Sequence, residues 1–95
     1  MIIIMGKYLK PLEEIDALLV DHRKWLDDGL KAEKFICAGA RDPRIGGIIV
    51  ADLSLDEARE IVKKDPFYIN EAVEYEFFKF LPGKFDPRFS CFVNK

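Results

Sequence analysis

The chain holds a single histidine, His22. Histidine is the side chain whose ordinary pKa brings its charge change near neutral pH, so His22 is the natural candidate for moving a proton. It stands seven residues after Ile15, three after Leu19 and four before Leu26. On a helix that spacing sets it on, or beside, the apolar stripe. Two roles are open from the pattern: a core or edge histidine satisfied by a backbone carbonyl, or a general acid/base. Asp65 is the second candidate, in Lys63-Lys64-Asp65-Pro66-Phe67-Tyr68. It can serve as an Asx-type turn residue at a helix exit. Pro66 also restrains its backbone, which gives the carboxylate a defined direction. A carboxylate on one imidazole nitrogen fixes the tautomer and strengthens the other nitrogen as a base, as in the Asp–His part of hydrolytic triads. A working pair would lie at ~2.6–3.2 Å, or across one water, at the mouth of a cavity, with one ring nitrogen left reachable.

Arg41, Asp42 and Arg44 crowd one short loop. They read either as a solvated connection or as an anion clamp, because guanidinium forks match carboxylates. Gly39, Gly46 and Gly47 flank this loop. They could admit a ligand to the backbone, yet they form no phosphate-loop pattern. One His and two distant Cys offer no metal-ligand spacing, so no metal is expected. No nucleophile motif is present either. Ser54 is committed as a helix cap, and Ser90 and Cys91 lie in the tail.

These residues are carried by 95 residues of which 49% are apolar, enough for one domain with a thin core. The domain expectation is a single unit over 1–95, with a core of about 1–82 and an aromatic tail over 83–95. Fifteen basic and seventeen acidic residues leave a net charge of −2. That lacks the basic excess of a nucleic-acid binder. No apolar run reaches the ~18 residues of a membrane span, and Met1 to Met5 does not resemble a signal peptide. Cys37 and Cys91 therefore read as reduced thiols in a cytoplasmic protein.

The elements follow from periodicity. Ile2 to Met5 is a β-branched apolar run and predicts a strand, with Gly6 to Lys10 leading out of it. Pro11 to Asp28 predicts a helix that Gly29 ends. Lys34 to Gly39 and Ile48 to Ala51 predict strands. Ser54-Leu55-Asp56-Glu57 is a capping box that opens a second helix, and Pro66 stops it near Lys64. Phe67 to Asn70 makes a short turn. Ala72 to Leu81 predicts the last strand, with Val73, Tyr75 and Phe77 on one face and Glu74, Glu76, Phe78 and Phe80 on the other. The order β-α-β-β-α-β predicts a ferredoxin-like α+β fold, a four-stranded antiparallel sheet with both helices on one face. The first three strands are apolar on both faces, so the uncovered face needs a partner. A homodimer joined through the open sheet face is the economical answer, and the aromatic tail is a second candidate cover.

The ordered set His22-Arg23-Lys24-Trp25-Leu26, Gly29-Leu30, Ala38-Gly39-Ala40, Gly46-Gly47, Leu55-Asp56-Glu57-Ala58 and Asp65-Pro66-Phe67 resembles the YciI-like (YCII-related) proteins over roughly Ile2 to Leu81. The resemblance implies a ferredoxin-like dimeric α/β barrel. It implies an active site with a histidine and an aspartate, which fall here on His22 and Asp65. One such relative is a lactone dehydrochlorinase, and the wider superfamily includes muconolactone isomerase. The loop Ala40-Arg41-Asp42-Pro43-Arg44 departs from the Gly-Pro start of many members, and the tail after Pro82 is longer than the core family needs. The reading that results is a small cofactor-independent enzyme, a lyase or isomerase. His22 would be its acid or base, Asp65 would orient His22, and Arg41 or Arg44 would hold a small organic acid or lactone. The alternative is a non-catalytic dimer that binds a small ligand in the same cleft. A haem- or oxygen-using relative on the same fold is a third reading.

Overall fold

The computed structural model describes residues 1–93. Four strands form one antiparallel sheet: β1 (Ile2–Tyr8), β2 (Phe35–Ala40), β3 (Gly47–Ala51) and β4 (Val73–Lys79), in the spatial order β2-β3-β1-β4. Between them run α1 (Leu12–Lys31), α2 (Leu55–Ile61), a 3₁₀ turn (Val62–Lys64) and the short α3 (Pro66–Ile69). This is the ferredoxin-like arrangement. Much of the helix-side face of the sheet is buried: Ile2, Ile4 and Ala51 fully, and Phe35, Ile49 and Val73 nearly so. Ile15 of α1, Ala58 of α2, Val62 and Phe67 close over them in two adjoining clusters. Each fully buried Ile contributes roughly 1.5–3 kcal/mol of transfer free energy.

Two elements run longer than the sequence suggests. β1 continues through Gly6 and Lys7 to Tyr8, because β4 offers it a full antiparallel partner down to the Tyr8↔Val73 pair. α1 passes through Gly29 and ends at Lys31. Gly29 does not terminate it. This glycine is buried under Phe35, where a Cβ would lie 2.2 Å from the ring, so its place is set by helix–strand contact. The left-handed turn that ends the helix falls on Glu33, at φ 59°. The capping box of α2 forms as its spacing predicts, with Glu57 N donating to Ser54 Oγ and Ser54 N to Glu57 Oε1, both at 3.1 Å.

The other sheet face carries Ile3, Met5, Ile48 and Val50, half-buried, beside an exposed Phe78. The tail forms a 3₁₀ helix (Pro87–Phe92) capped by Asp86. It makes no extensive contact with the sheet or the helices, so within the described residues it does not cover that face. Residues 94 and 95 of the expected tail lie outside the described residues. Among the described residues no helix is long and apolar enough to cross a membrane.

Candidate active site

Three elements converge on one carboxylate. Asp65 sits at the junction of the 3₁₀ turn and α3, in extended conformation (φ −69°, ψ 126°), with Pro66 as the first residue of α3. Proline disfavours the helical region for the residue before it, and the extended conformation aims the Asp65 side chain back over its own turn. There Asp65 Oδ1 accepts from Phe67 N at 3.1 Å, an N-cap bond. The same oxygen lies 2.7 Å from His22 Nδ1, and Oδ2 accepts from the Tyr75 hydroxyl of β4. Asp65 has no exposed surface, and this set of partners is what makes so deep a carboxylate tolerable.

The tautomer of His22 follows from the acceptor. An ionised carboxylate can only accept, so Nδ1 carries the hydrogen and the lone pair of the neutral ring resides on Nε2. Among the described residues Nε2 has no hydrogen-bond partner, while no buried side-chain nitrogen or oxygen lacks one. Nε2 is therefore reachable from solvent. The ring itself is fixed by stacking on Phe67, with centroids 3.8 Å apart and planes 9° from parallel. One residue thus serves twice: the Phe67 backbone holds the aspartate and its ring holds the histidine.

The site opens on a cavity of about 380 Å³. His22, Phe67, Tyr75, Tyr8 and Leu19 form one part of its lining, and the backbone-rich run Ala38-Gly39-Ala40 with Gly47 forms another. A cavity of that size suits a small organic molecule. Arg44 also lines it, held by Asp16 Oδ1 at 2.5 Å. Arg41 is not among the lining residues; its guanidinium reaches Gly6 O at a long 3.4 Å. The structure thus brings His22 and Arg44 to one cavity, buries Asp65 behind the His22 ring, and leaves Arg41 outside the lining. Of the loop glycines, Gly39 and Gly47 border the cavity. Gly46 instead allows the loop to cross β1, since a Cβ there would lie 1.8 Å from Gly6 O. Among the described residues no three His, Cys, Asp or Glu side chains gather as a metal would require.

Tyr75 and Phe67 carry contacts that motif reasoning did not assign. Their signal in the sequence was partial: Tyr75 is a lone hydroxyl on an otherwise apolar strand face, and Phe67 follows the proline that aims Asp65. Burial and the Asp65 charge push the Tyr75 phenol far above the ordinary tyrosine range, so it stays a donor.

The model of the YCII-related domain matches residues 1–80, most of the chain. The protein belongs to the YCII-related family. Among solved structures it is similar to the 5-chloro-2-hydroxyhydroquinone dehydrochlorinase of Burkholderia phenoliruptrix AC1100, determined in complex with 2,5-dihydroxybenzoquinone. The two share 20% sequence identity at a TM-score of 0.67, over 84% of this chain and 93% of the other. That likeness is one of fold. No curated protein matches the chain.

Proposed function

We propose that this YCII-related protein is a small enzyme that works without a cofactor, by acid–base chemistry at His22. The observation that carries this reading is the asymmetry of the imidazole. Nδ1 is engaged by a fully buried aspartate, while Nε2 is left free at a cavity. Such a base can take a proton from a carbon next to a carbonyl. The electron pair left behind then either expels a leaving group, giving elimination, or takes up a proton at another carbon, giving isomerisation. The substrate class is a small organic acid or lactone, with Arg44 placed to hold an anionic oxygen. The related dehydrochlorinase, which binds a dihydroxybenzoquinone, supports elimination on a small oxygenated ring.

The unit of function is a homodimer of a single domain, packed through the open sheet face into a dimeric α/β barrel. The apolar row Ile3, Met5, Ile48, Val50 and Phe78 supports it, since soluble monomers seldom leave so continuous a patch in water.

The test is a panel of chlorinated hydroxyquinols and unsaturated lactones, followed by chloride release and by movement of the double bond. Turnover is expected with at least one class, falling about 10²–10⁴-fold in His22→Ala, the usual worth of a positioned base. Saturable binding with no turnover on any of them, in protein and variant alike, would replace the enzyme by a ligand-binding dimer.

A further inference from the structure

Tyr75 is half-buried on the helix-side face of the sheet, yet the acid–base reading gives it no part. It is the residue that adjoins both hydrophobic clusters. Its ring lies across β1 opposite Gly6, and a Cβ at that glycine would sit 2.8 Å from Tyr75 Cε1. The bare backbone of β1 is what lets the ring lie there and present its hydroxyl to Asp65 Oδ2. With Oδ1 taken by His22 and by Phe67 N, both carboxylate oxygens are occupied by the protein. The carboxylate cannot rotate without breaking one of three contacts.

We infer that Tyr75 is a positioning residue that sets how strongly Asp65 acts on the His22 ring. A donor on a carboxylate draws charge toward itself, so less of it faces the other partner. The Tyr75 hydroxyl and the His22 ring compete in this way for one buried negative charge. Removing the hydroxyl concentrates that charge on His22 and favours the imidazolium. Strengthening the hydroxyl as a donor does the reverse. The charged and titratable groups that line the cavity with the ring are Tyr75 on β4, Tyr8 on β1, Asp16 and Arg23 on α1, and Arg44 on the loop, and Asp65 at the α3 junction lies behind it. Among the described residues only Asp65 is hydrogen-bonded to the ring, so the effect passes through it. The functional meaning of this device rests on the acid–base reading of His22; its physical content does not.

The experiment uses the intact protein without any substrate. His22 is the only histidine in the chain, so its ring proton gives one assignable signal in a proton NMR titration. Tyr75→Phe is expected to move the titration midpoint upward from that of the unaltered protein. Biosynthetic replacement of tyrosine by 3-fluorotyrosine, a more acidic phenol, is expected to move it downward, and to leave it unmoved when made in Tyr75→Phe. Should Tyr75→Phe not fold, the fluorotyrosine shift alone decides. An unchanged or lowered midpoint in Tyr75→Phe, or an unchanged midpoint with fluorotyrosine, overturns the inference and leaves Tyr75 a core residue. Failure of the titration does not touch the turnover test with His22→Ala, and failure of turnover does not touch the titration.

Discussion

Two nitrogen–carboxylate contacts border the same cavity. His22 meets Asp65 at 2.7 Å with side chains 12% and 0% exposed, and Arg44 meets Asp16 at 2.5 Å with side chains 37% and 52% exposed. By distance alone they would be ranked together. By surroundings they are opposites. Asp65 has no water to turn to, so each of its partners is obligatory, and losing one strands another buried group. Asp16 and Arg44 can each exchange the other for water at little cost, as exposed pairs generally do. Length therefore says little about what a polar contact is worth; the alternative open to its members decides. The same contrast suits different work. A base needs a rigid partner, whereas a group that receives a ligand must be free to leave the partner it has.

The comparison is most directly broken at Asp65. Asp65→Ala strands the Tyr75 hydroxyl and the Phe67 N–H and should cost roughly 2–5 kcal/mol of stability. Thermal unfolding would read that as a loss on the order of 10 °C or more. An unfolding midpoint near that of the unaltered protein would mean the buried site is no more binding than the exposed one.

A second effect concerns the far side of the sheet. Val50→Glu, on the half-buried apolar row, should turn a homodimer into a monomer, measured by light scattering at micromolar concentration. A monomeric mass before any substitution would remove the dimer, and with it the contrast between a covered and an open face.

Tyr75 supplies the pH dependence. Its folded-state pKa is raised above the unfolded value, by burial first and by the Asp65 charge second. For a neutral acid this means that the unfolded chain loses the proton more readily than the folded one. The stabilisation is fully present below the ordinary tyrosine pKa of ~10 and is lost as pH rises through and beyond it. Denaturant midpoints taken across that range should fall with pH, with a shallower fall in Tyr75→Phe. Equal slopes would contradict the burial argument.

The smallest effect on stability belongs to Arg44→Ala, which should leave the unfolding midpoint unchanged within scatter. Its consequence should appear in ligand binding, where an anionic ligand weakens roughly tenfold or more through loss of a charge-assisted bond. Unaltered binding would reduce the loop to a connection.

Most of the fold was legible because period and punctuation agree. The alternation of Val73, Tyr75 and Phe77 against Glu74, Glu76 and Phe78 gave β4 its two faces, and Pro66 marked the end of the second helix. The longer β1 was not visible, since Gly6 and Lys7 have weak strand preference and are held by pairing with β4. Gly29 misled for a related reason. A glycine in a helix can end it or can admit a neighbour, and only the position of Phe35, six residues on, distinguishes the two. At the site, chain direction fixed by proline made Asp65 a candidate, and helical spacing did so for His22. The Tyr75 contact depends on strand register, and the separation of Arg44 from Arg41 depends on the path of a loop. Neither has a local signature.

The wall formed by Ala38, Gly39, Ala40 and Gly47 has a consequence for how this molecule can change. Because that side of the cavity is mostly main chain, its width can be adjusted without dismantling anything. A methyl group at Gly47 would come only to 3.4 Å of Gly39 O, ordinary contact, and one at Gly39 would meet nothing within 4 Å. A small substitution at Gly47, which shares the helix-side face with Ile49, would narrow the space offered to a guest while the histidine, the aspartate and the tyrosine stay in place, whereas one at Gly39 would point to the open sheet face with Ile48. The width of the cavity and the His22–Asp65–Tyr75 contacts are thereby carried by different elements, and one can drift, or be engineered, without disturbing the other.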